Sequence, residues 1–229
     1  MSWDKIWKEK KYTTDFSLRW HSFLSLVAKR LPGNARILEA GCGSGEGLAV
    51  LAGSGRTAVG LDISLEALLK TGSTAGVLTV RGDNFSLPFN NGTFDLVFNS
   101  GVIEHFKYPG NVKQLKEMAR VMKPGAELII NVPNALCLWY LAVKRLLIAL
   151  KKWEFGYEES YTPWRLKMAV KEAGFKVAKI TGFLFMPPLA INKKEIAPLR
   201  VRKKLATLEK YLPLKQYYCY SVCVLCKRV

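Results

Sequence analysis

The stretch Ile37-Leu38-Glu39-Ala40-Gly41-Cys42-Gly43-Ser44-Gly45-Glu46-Gly47 constrains this chain more than any other. It joins an apolar β-type run, Arg36–Glu39, to a helical pattern over Glu46–Ala52. Glycines at such a junction let the chain turn tightly and let a ligand approach the backbone without a Cβ clash. The helix start behind them offers free N–H groups. A dinucleotide fingerprint would read Gly-x-Gly-x-x-Gly, yet counting from Gly41 reaches Glu46 and counting from Gly43 reaches Leu48. Both counts fail, and a carboxylate at Glu46 would repel a pyrophosphate. The loop suits a cationic ligand without phosphate.

Around the loop, β-rich runs alternate with helical patterns, which predicts an α/β fold with a parallel sheet and helices on both faces. Strands are expected at Arg36–Glu39, Ala58–Asp62, Val77–Arg81, Phe94–Asn99 and Ala126–Val132. Helices are expected at Glu46–Ala52, at Leu65–Lys70 with Ser64 as cap, and at Val112–Met122, which stops at Lys123-Pro124-Gly125. The first 31 residues read as helical in their latter part, where Phe16, Trp20, Phe23, Leu24 and Val27 keep helical spacing. After the fifth strand comes an inserted amphipathic helix, Ala135–Lys152, then the aromatic segment Trp153–Tyr161. A helix over Thr162–Ala173, a strand over Phe175–Phe185, a basic helical stretch over Glu195–Tyr211 opened by Pro187-Pro188, and a last strand over Tyr217–Cys226 complete the pattern.

Three carboxylates fall in register with the loop. Glu39 closes the first strand and can face an ammonium group; Asp62 closes the second and suits the two hydroxyls of a ribose. Asp83 follows the third and can accept from an adenine amino group, with Phe85 offering apolar contact. An aspartate at a strand end is also an ordinary turn or cap residue. Three of them around one glycine loop are harder to assign to turns.

The ordered set resembles the class I S-adenosylmethionine-dependent methyltransferases, particularly the type 11 group that includes ubiquinone and menaquinone biosynthesis enzymes. The resemblance runs through Leu38–Gly45, Gly60-Leu61-Asp62-Ile63-Ser64, Gly82-Asp83 with Leu87-Pro88-Phe89, Phe94-Asp95-Leu96-Val97, Glu104-His105 and Arg120–Gly125. It covers about residues 36–133 and implies a Rossmann-like seven-stranded, mostly parallel sheet with the last strand antiparallel. It also implies S-adenosylmethionine as cofactor, leaving as S-adenosylhomocysteine. Gly41, Cys42, Gly43 and Gly45 would then hold the methionine part, Asp62 and Ile63 the ribose and adenine, and Asp83 and Asn84 the adenine edge. Asn99 and Ser100 would lie beneath the sulfonium. Asn84 departs from the alanine common there.

The resemblance divides one domain into an N-terminal helical lid (1–31), a cofactor core (35–133), a substrate-side insert (134–160) and the C-terminal part of the sheet (161–229). Trp3, Trp7 and Tyr12 either close a lid over the cofactor or pack on the sheet. The insert helix, with Leu136, Trp139, Tyr140, Val143, Leu147 and Leu150 opposite Lys144, Lys151 and Lys152, either caps the site or docks on lipid. The cap is favoured, and both hold for a lipid-like acceptor.

If the acceptor needs a base, His105 is the candidate, because it follows the fourth strand beside the expected cofactor. The alternative is a structural Glu104-His105 pair that closes the pocket. The net charge of +17 is uneven, +4 over residues 1–133 and +13 over residues 134–229. Such a field favours an anionic acceptor, an anionic membrane surface through residues 135–152, or nucleic acid. Nucleic acid is the less favoured partner: Asn99-Ser100-Gly101-Val102 lacks the Pro-Pro-aromatic run of base-amino methyltransferases, no cysteine directly follows the fourth strand, and Cys137, beyond the fifth, lacks the Pro-Cys context of cysteine-nucleophile RNA enzymes.

The five cysteines and the start Met1-Ser2-Trp3-Asp4-Lys5, which has no apolar core, predict a cytoplasmic protein without signal peptide. Cys219, Cys223 and Cys226 read as small hydrophobes in the last strand; no metal site is expected. The longest apolar run, Ala135–Val143, is short of the roughly 18 residues of a spanning helix.

Overall fold

The structure, a computed structural model, describes residues 3–9, 14–53, 55–185, 190–191, 194–195, 197–209 and 211–229. Seven strands form one sheet: β1 (Arg36–Ala40), β2 (Thr57–Asp62), β3 (Val77–Arg81), β4 (Phe94–Ser100), β5 (Met122–Pro133), β6 (Phe175–Phe183) and β7 (Ser221–Arg228). Their spatial order is β3-β2-β1-β4-β5-β7-β6. β1 to β5 pair in parallel, and β7 alone reverses, running antiparallel to both β5 and β6. The Rossmann-like expectation is borne out. Strand order turns around between β1 and β4, which puts a binding crevice at the C-terminal ends of these two strands.

Alternate residues of the central strands feed opposite layers, as the two-residue period of a strand requires. Leu38, Val97, Leu128 and Val224 pack beneath α5 (Gly110–Val121) and α7 (Pro163–Glu172), which contribute Leu115, Met118, Leu166 and Val170. Ile37, Phe98, Ile129 and Leu225 face the other way, against Trp20, Leu24 and Val27 of α2 (Thr14–Ala28) and Leu48 and Leu51 of α3 (Glu46–Leu51). Trp20, Leu24 and Val27 thus form the buried stripe expected of them; the side chain of Phe16 lies outside the described residues. Cys223 and Cys226 of β7 point to opposite layers, and with Cys219 they are buried free thiols.

Some boundaries differ from the sequence pattern for local reasons. A short helix α1 (Trp3–Glu9) precedes α2. Lys123-Pro124-Gly125 is a bulge rather than a turn: Met122 already pairs with Phe94, and the ladder resumes at Leu96 with Glu127. Gly125 takes φ +76° there, a backbone that favours glycine. The inserted helix α6 spans only Leu138–Ala149, because the Asn134 side chain holds its approach in a turn. Its Oδ1 accepts from Leu136 N–H at 3.0 Å, while its Nδ2 donates to the Gln216 and Cys219 carbonyls at 3.0 and 2.9 Å.

The basic stretch begins its helix, α8, at Leu199 and ends it at Glu209. Lys194–Glu195 pairs instead with Ala190–Ile191 as a two-residue ribbon, and Pro187-Pro188 lies outside the described residues. A buried ion pair, Arg19 with Glu209 at 2.5 Å, ties α2 to α8. Glu209 also accepts from Leu184 N–H at 2.9 Å, so this carboxylate is satisfied on both oxygens.

Candidate active site

The glycine loop is shaped by its backbone. Gly41, Gly43 and Gly45 have φ of +80°, +54° and +71°, and a Cβ on Gly41 would come within 2.5 Å of a Val102 methyl. Gly41 and Cys42 N–H both donate to the Leu61 carbonyl, at 2.7 and 2.9 Å, tying the loop to β2. The Cys42 side chain turns inward against Gly60 and Thr71, where burial pushes its thiol up. Only the backbone of Cys42 belongs to the loop's outer surface. Thr71 of α4 (Leu65–Gly72) donates to the Gly43 carbonyl at 2.7 Å, a bond that sequence spacing did not suggest.

Asp62 is the loop's main tie. One carboxylate oxygen accepts from Gly43 N–H and the other from Ser64 N–H, each at 2.9 Å. Ser64 in turn caps α4 as expected, accepting from Ala67 N–H at 3.3 Å. Glu39 lies below, 5% exposed, bonded to Leu48 N–H in the first turn of α3. Burial holds its carboxyl well above the usual range, and the nearby carboxylates of Asp62 and Glu46 add to the shift.

Among the described residues, Glu39 Oε2, Asn84 Oδ1, Asn99 Oδ1 and Asn131 Oδ1 are buried without a hydrogen-bond partner. All four stand at the C-terminal ends of β1, β3, β4 and β5, or just past them. The three amide oxygens can only accept, and the Glu39 carboxyl accepts on both oxygens once ionised. Asn99 Nδ2 is engaged by the Ala40 carbonyl and Asn131 Nδ2 by Ser100 Oγ, so in both amides the oxygen is left over. Buried acceptors without donors are costly, and a ligand bringing N–H and O–H groups and positive charge would relieve them. Asn131 was not foreseen as a site residue. Its signal was a polar residue inside the apolar run Leu128-Ile129-Ile130-Asn131-Val132.

The remaining candidates lie around this group. Ile63 is exposed beside Asp62. The Asp83 carboxylate accepts from Phe85 N–H at 2.9 Å in a tight turn, and the Phe85 ring meets Phe106 edge-on at 5.1 Å. The Asn84 amide approaches Gly41 across the crevice. His105 shares its Nδ1 with the Tyr157 carbonyl at 2.8 Å. A carbonyl can only accept, so Nδ1 carries a proton and donates it to this bond.

The helix α1 crosses over all of this. Its Trp7 indole lies against Gly43, where a Cβ would clash with the ring carbons, and Trp3 meets the His105 ring edge-on at 4.9 Å. Asp4 accepts from Ser64 Oγ at 2.6 Å and from Glu66 N–H at 3.3 Å, bonds that lower its own pKa; Lys70 Nζ donates to the Trp7 carbonyl.

The methyltransferase domain family matches residues 12–180, about three quarters of the chain. The chain belongs to that family. It is a class I S-adenosylmethionine-dependent methyltransferase, of the type 11 group. The ubiquinone biosynthesis O-methyltransferase of Thiobacillus denitrificans is 26% identical over 190 residues, 78% of each chain. Probable tRNA methyltransferase 9B of Homo sapiens is 34% identical over 117 residues, 51% of this chain and only 25% of the human protein. In fold, a Thermotoga maritima SAM-dependent methyltransferase, described as a possible histamine N-methyltransferase, superposes with a TM-score of 0.69. That match covers 99% of this chain and 98% of the other at 21% identity.

In this methyltransferase the loop after β3 is braced by Arg120, quoted in the sequence pattern but given no role there. Its guanidinium donates to the Leu87 and Phe89 carbonyls and to Asn91, each at 2.8 Å, and to both oxygens of Glu117 at 2.9 Å. Arg120→Ala is expected to cost about 2 kcal/mol, the scale for losing several partly exposed charged hydrogen bonds. A urea titration checks this: the midpoint should fall with the slope unchanged.

Proposed function

We propose that the crevice above β1 and β4 holds S-adenosylmethionine and presents it to a small-molecule or lipid-like acceptor. The observation that carries this is the set of buried acceptor atoms on Glu39, Asn84, Asn99 and Asn131 around the glycine loop. Their chemistry fits the cofactor: Glu39 would meet the ammonium, and Asp62 the ribose hydroxyls beside exposed Ile63. Asp83, Asn84 and Phe85 would frame the adenine. Gly41, the Cys42 backbone, Gly43 and Gly45 would carry the methionine part, with Asn99 and Ser100 under the sulfonium. When bound, the cofactor supplies an electrophilic methyl group. The chain's own task is to orient the acceptor, exclude water and remove a proton where the acceptor carries one. In this reading α1 is the lid, with Trp7 on the loop and Trp3 on His105.

The acceptor side lies where the insert meets the sheet. Tyr140 packs edge-on against Tyr220 at 4.8 Å, and Lys144 pairs with Glu158 at 2.8 Å. Glu104 is buried next to them, its carbonyl accepting from Glu159 N–H at 2.8 Å. These carboxylates argue against seating an anionic group deep in the pocket, so an anionic part of the acceptor would remain outside it. A tRNA acceptor is the second reading, supported by the human relative; that similarity is confined to 117 residues of a much longer protein.

The test is calorimetric binding of S-adenosylmethionine, followed by turnover over quinone precursors, phenols, small acids and tRNA. Absence of cofactor binding would sink the proposal. For an acceptor that must lose a proton, His105→Ala should lower kcat by roughly 10²–10⁴. An unchanged kcat would leave His105 as a positioning group for the insert.

A further inference from the structure

Helix α6 presents apolar side chains where a folded chain would hide them. Its inward side is anchored: Tyr140 is buried and bonded to Glu158, and Lys144 Nζ reaches both the Glu158 carbonyl and its carboxylate at 2.8 Å. Its outward side holds Leu138, 81% exposed, and Leu146, 58% exposed, with Ala142 between them and Ala149 beyond. Ile148 and Leu150 flank this strip at 53% and 54% exposed. A helix apolar all round is normally covered on every side. Here one side is not.

The charges on this face are of one sign. Arg145 stands on the outward face, and Lys151 and Lys152 follow the helix end, all exposed. No acidic residue occurs between residues 135 and 153. A second copy of the chain seated on α6 would bring two such cationic faces together, each on a molecule of net charge +17. An anionic lipid surface is the complementary partner in both respects: acyl chains for the leucines, phosphates for the cations. Length agrees, since 12 helical residues span about 18 Å, and no helix among the described residues is long and apolar enough to cross a membrane.

We propose that the outward face of α6 lies in the surface of an anionic bilayer. Leu138, Leu146 and Leu150 enter the acyl boundary, and Arg145, Lys151 and Lys152 bind lipid phosphates. The helix starts five residues beyond the end of β5, at the same end of the sheet as Asn99, Ser100 and Asn131. Docking therefore sets the crevice beside the lipid surface. Its use in collecting an acceptor rests on the lipid-like reading above; the docking does not.

The experiment is co-sedimentation of the full chain with phosphatidylcholine vesicles, with and without phosphatidylglycerol. Binding should favour the anionic vesicles by on the order of a hundredfold, given three surface cations, and fall as salt is added. A Leu138→Asp/Leu146→Asp variant should lose at least about tenfold in binding while keeping the parent's melting temperature and cofactor affinity. Arg145→Glu/Lys151→Glu/Lys152→Glu should lose the preference for anionic vesicles. The proposal is overturned if the parent ignores anionic vesicles at low salt or if the leucine variant binds as the parent does. It also fails if light scattering finds a dimer that the leucine variant splits. Vesicle binding lost with cofactor binding intact would leave the methyl-transfer reading standing, and the reverse result would separate the two the other way.

Discussion

Glu39→Gln is expected to weaken S-adenosylmethionine binding about a hundredfold, near 2.7 kcal/mol, while making the ligand-free protein more stable. The two effects share one cause. Glu39 is buried at the foot of the glycine loop, with Asp62 and Glu46 raising its pKa further, so its ionised form is costly until a cation arrives. The sign follows from proton linkage. A carboxyl whose pKa is higher folded than unfolded binds more protons in the native state, so native stability falls as pH rises from the ordinary carboxylate value through the raised one. Gln removes that loss, with a gain of roughly 1–3 kcal/mol at pH above the raised value.

Cofactor binding should show the opposite slope. A cation beside Glu39 favours the carboxylate, so affinity rises with pH until Glu39 is ionised in the free protein, and the variant should flatten this dependence. Binding by the parent should also release a proton in the lower part of that range, seen as a heat that changes with buffer ionisation enthalpy. Calorimetry and thermal melts, repeated at pH values rising from the ordinary carboxylate range, check all three. A variant that binds as tightly as the parent would remove Glu39 from the ammonium site.

Asp62→Ala is expected to be at least as damaging to binding, again about a hundredfold or more, and to destabilise rather than stabilise. Its two oxygens accept from Gly43 and Ser64 N–H, so alanine frees one donor in the loop and one at the start of α4. A loss of about 2–3 kcal/mol in stability is the scale for two such charged bonds. Adenosine separates architecture from direct contact. If Asp62 meets the ribose, adenosine affinity should fall by the same factor as that of the full cofactor. Unchanged affinity for both ligands would end the ribose assignment.

The parts of the site readable in advance were those where backbone geometry or charge restricts residue choice. Three glycines with positive φ and carboxylates ending β1 and β2 leave a mark in any single sequence. The sheet was readable for a similar reason: strands buried on both faces are continuous apolar runs, and Gly and Pro punctuate them. What escaped depends on contacts between distant segments. A lid with Trp3 and Trp7 was one of two readings, but nothing in seven residues of α1 announces that Trp7 will lie on Gly43 itself or that Asp4 will join the cap of α4. Thr71 looks like any helix residue until its hydroxyl is found on the Gly43 carbonyl. The apolar stretch of α6 was visible as a pattern, but periodicity cannot tell a helix that is covered from one that is not.

The position of β7 carries a consequence for how this chain reaches its native state. β6 touches the sheet only through β7, and β5 has β7 on its free side. During synthesis, residues 175–183 must therefore wait for residues 221–228 before they can be built in. Until then β5, whose second half Leu128–Val132 is buried, is an open edge exposed to other nascent chains. Closure is late and long-range, so the rate of folding should be set by the arrival of one eight-residue segment. The glycine loop and its neighbours can assemble well before the molecule that carries them is finished.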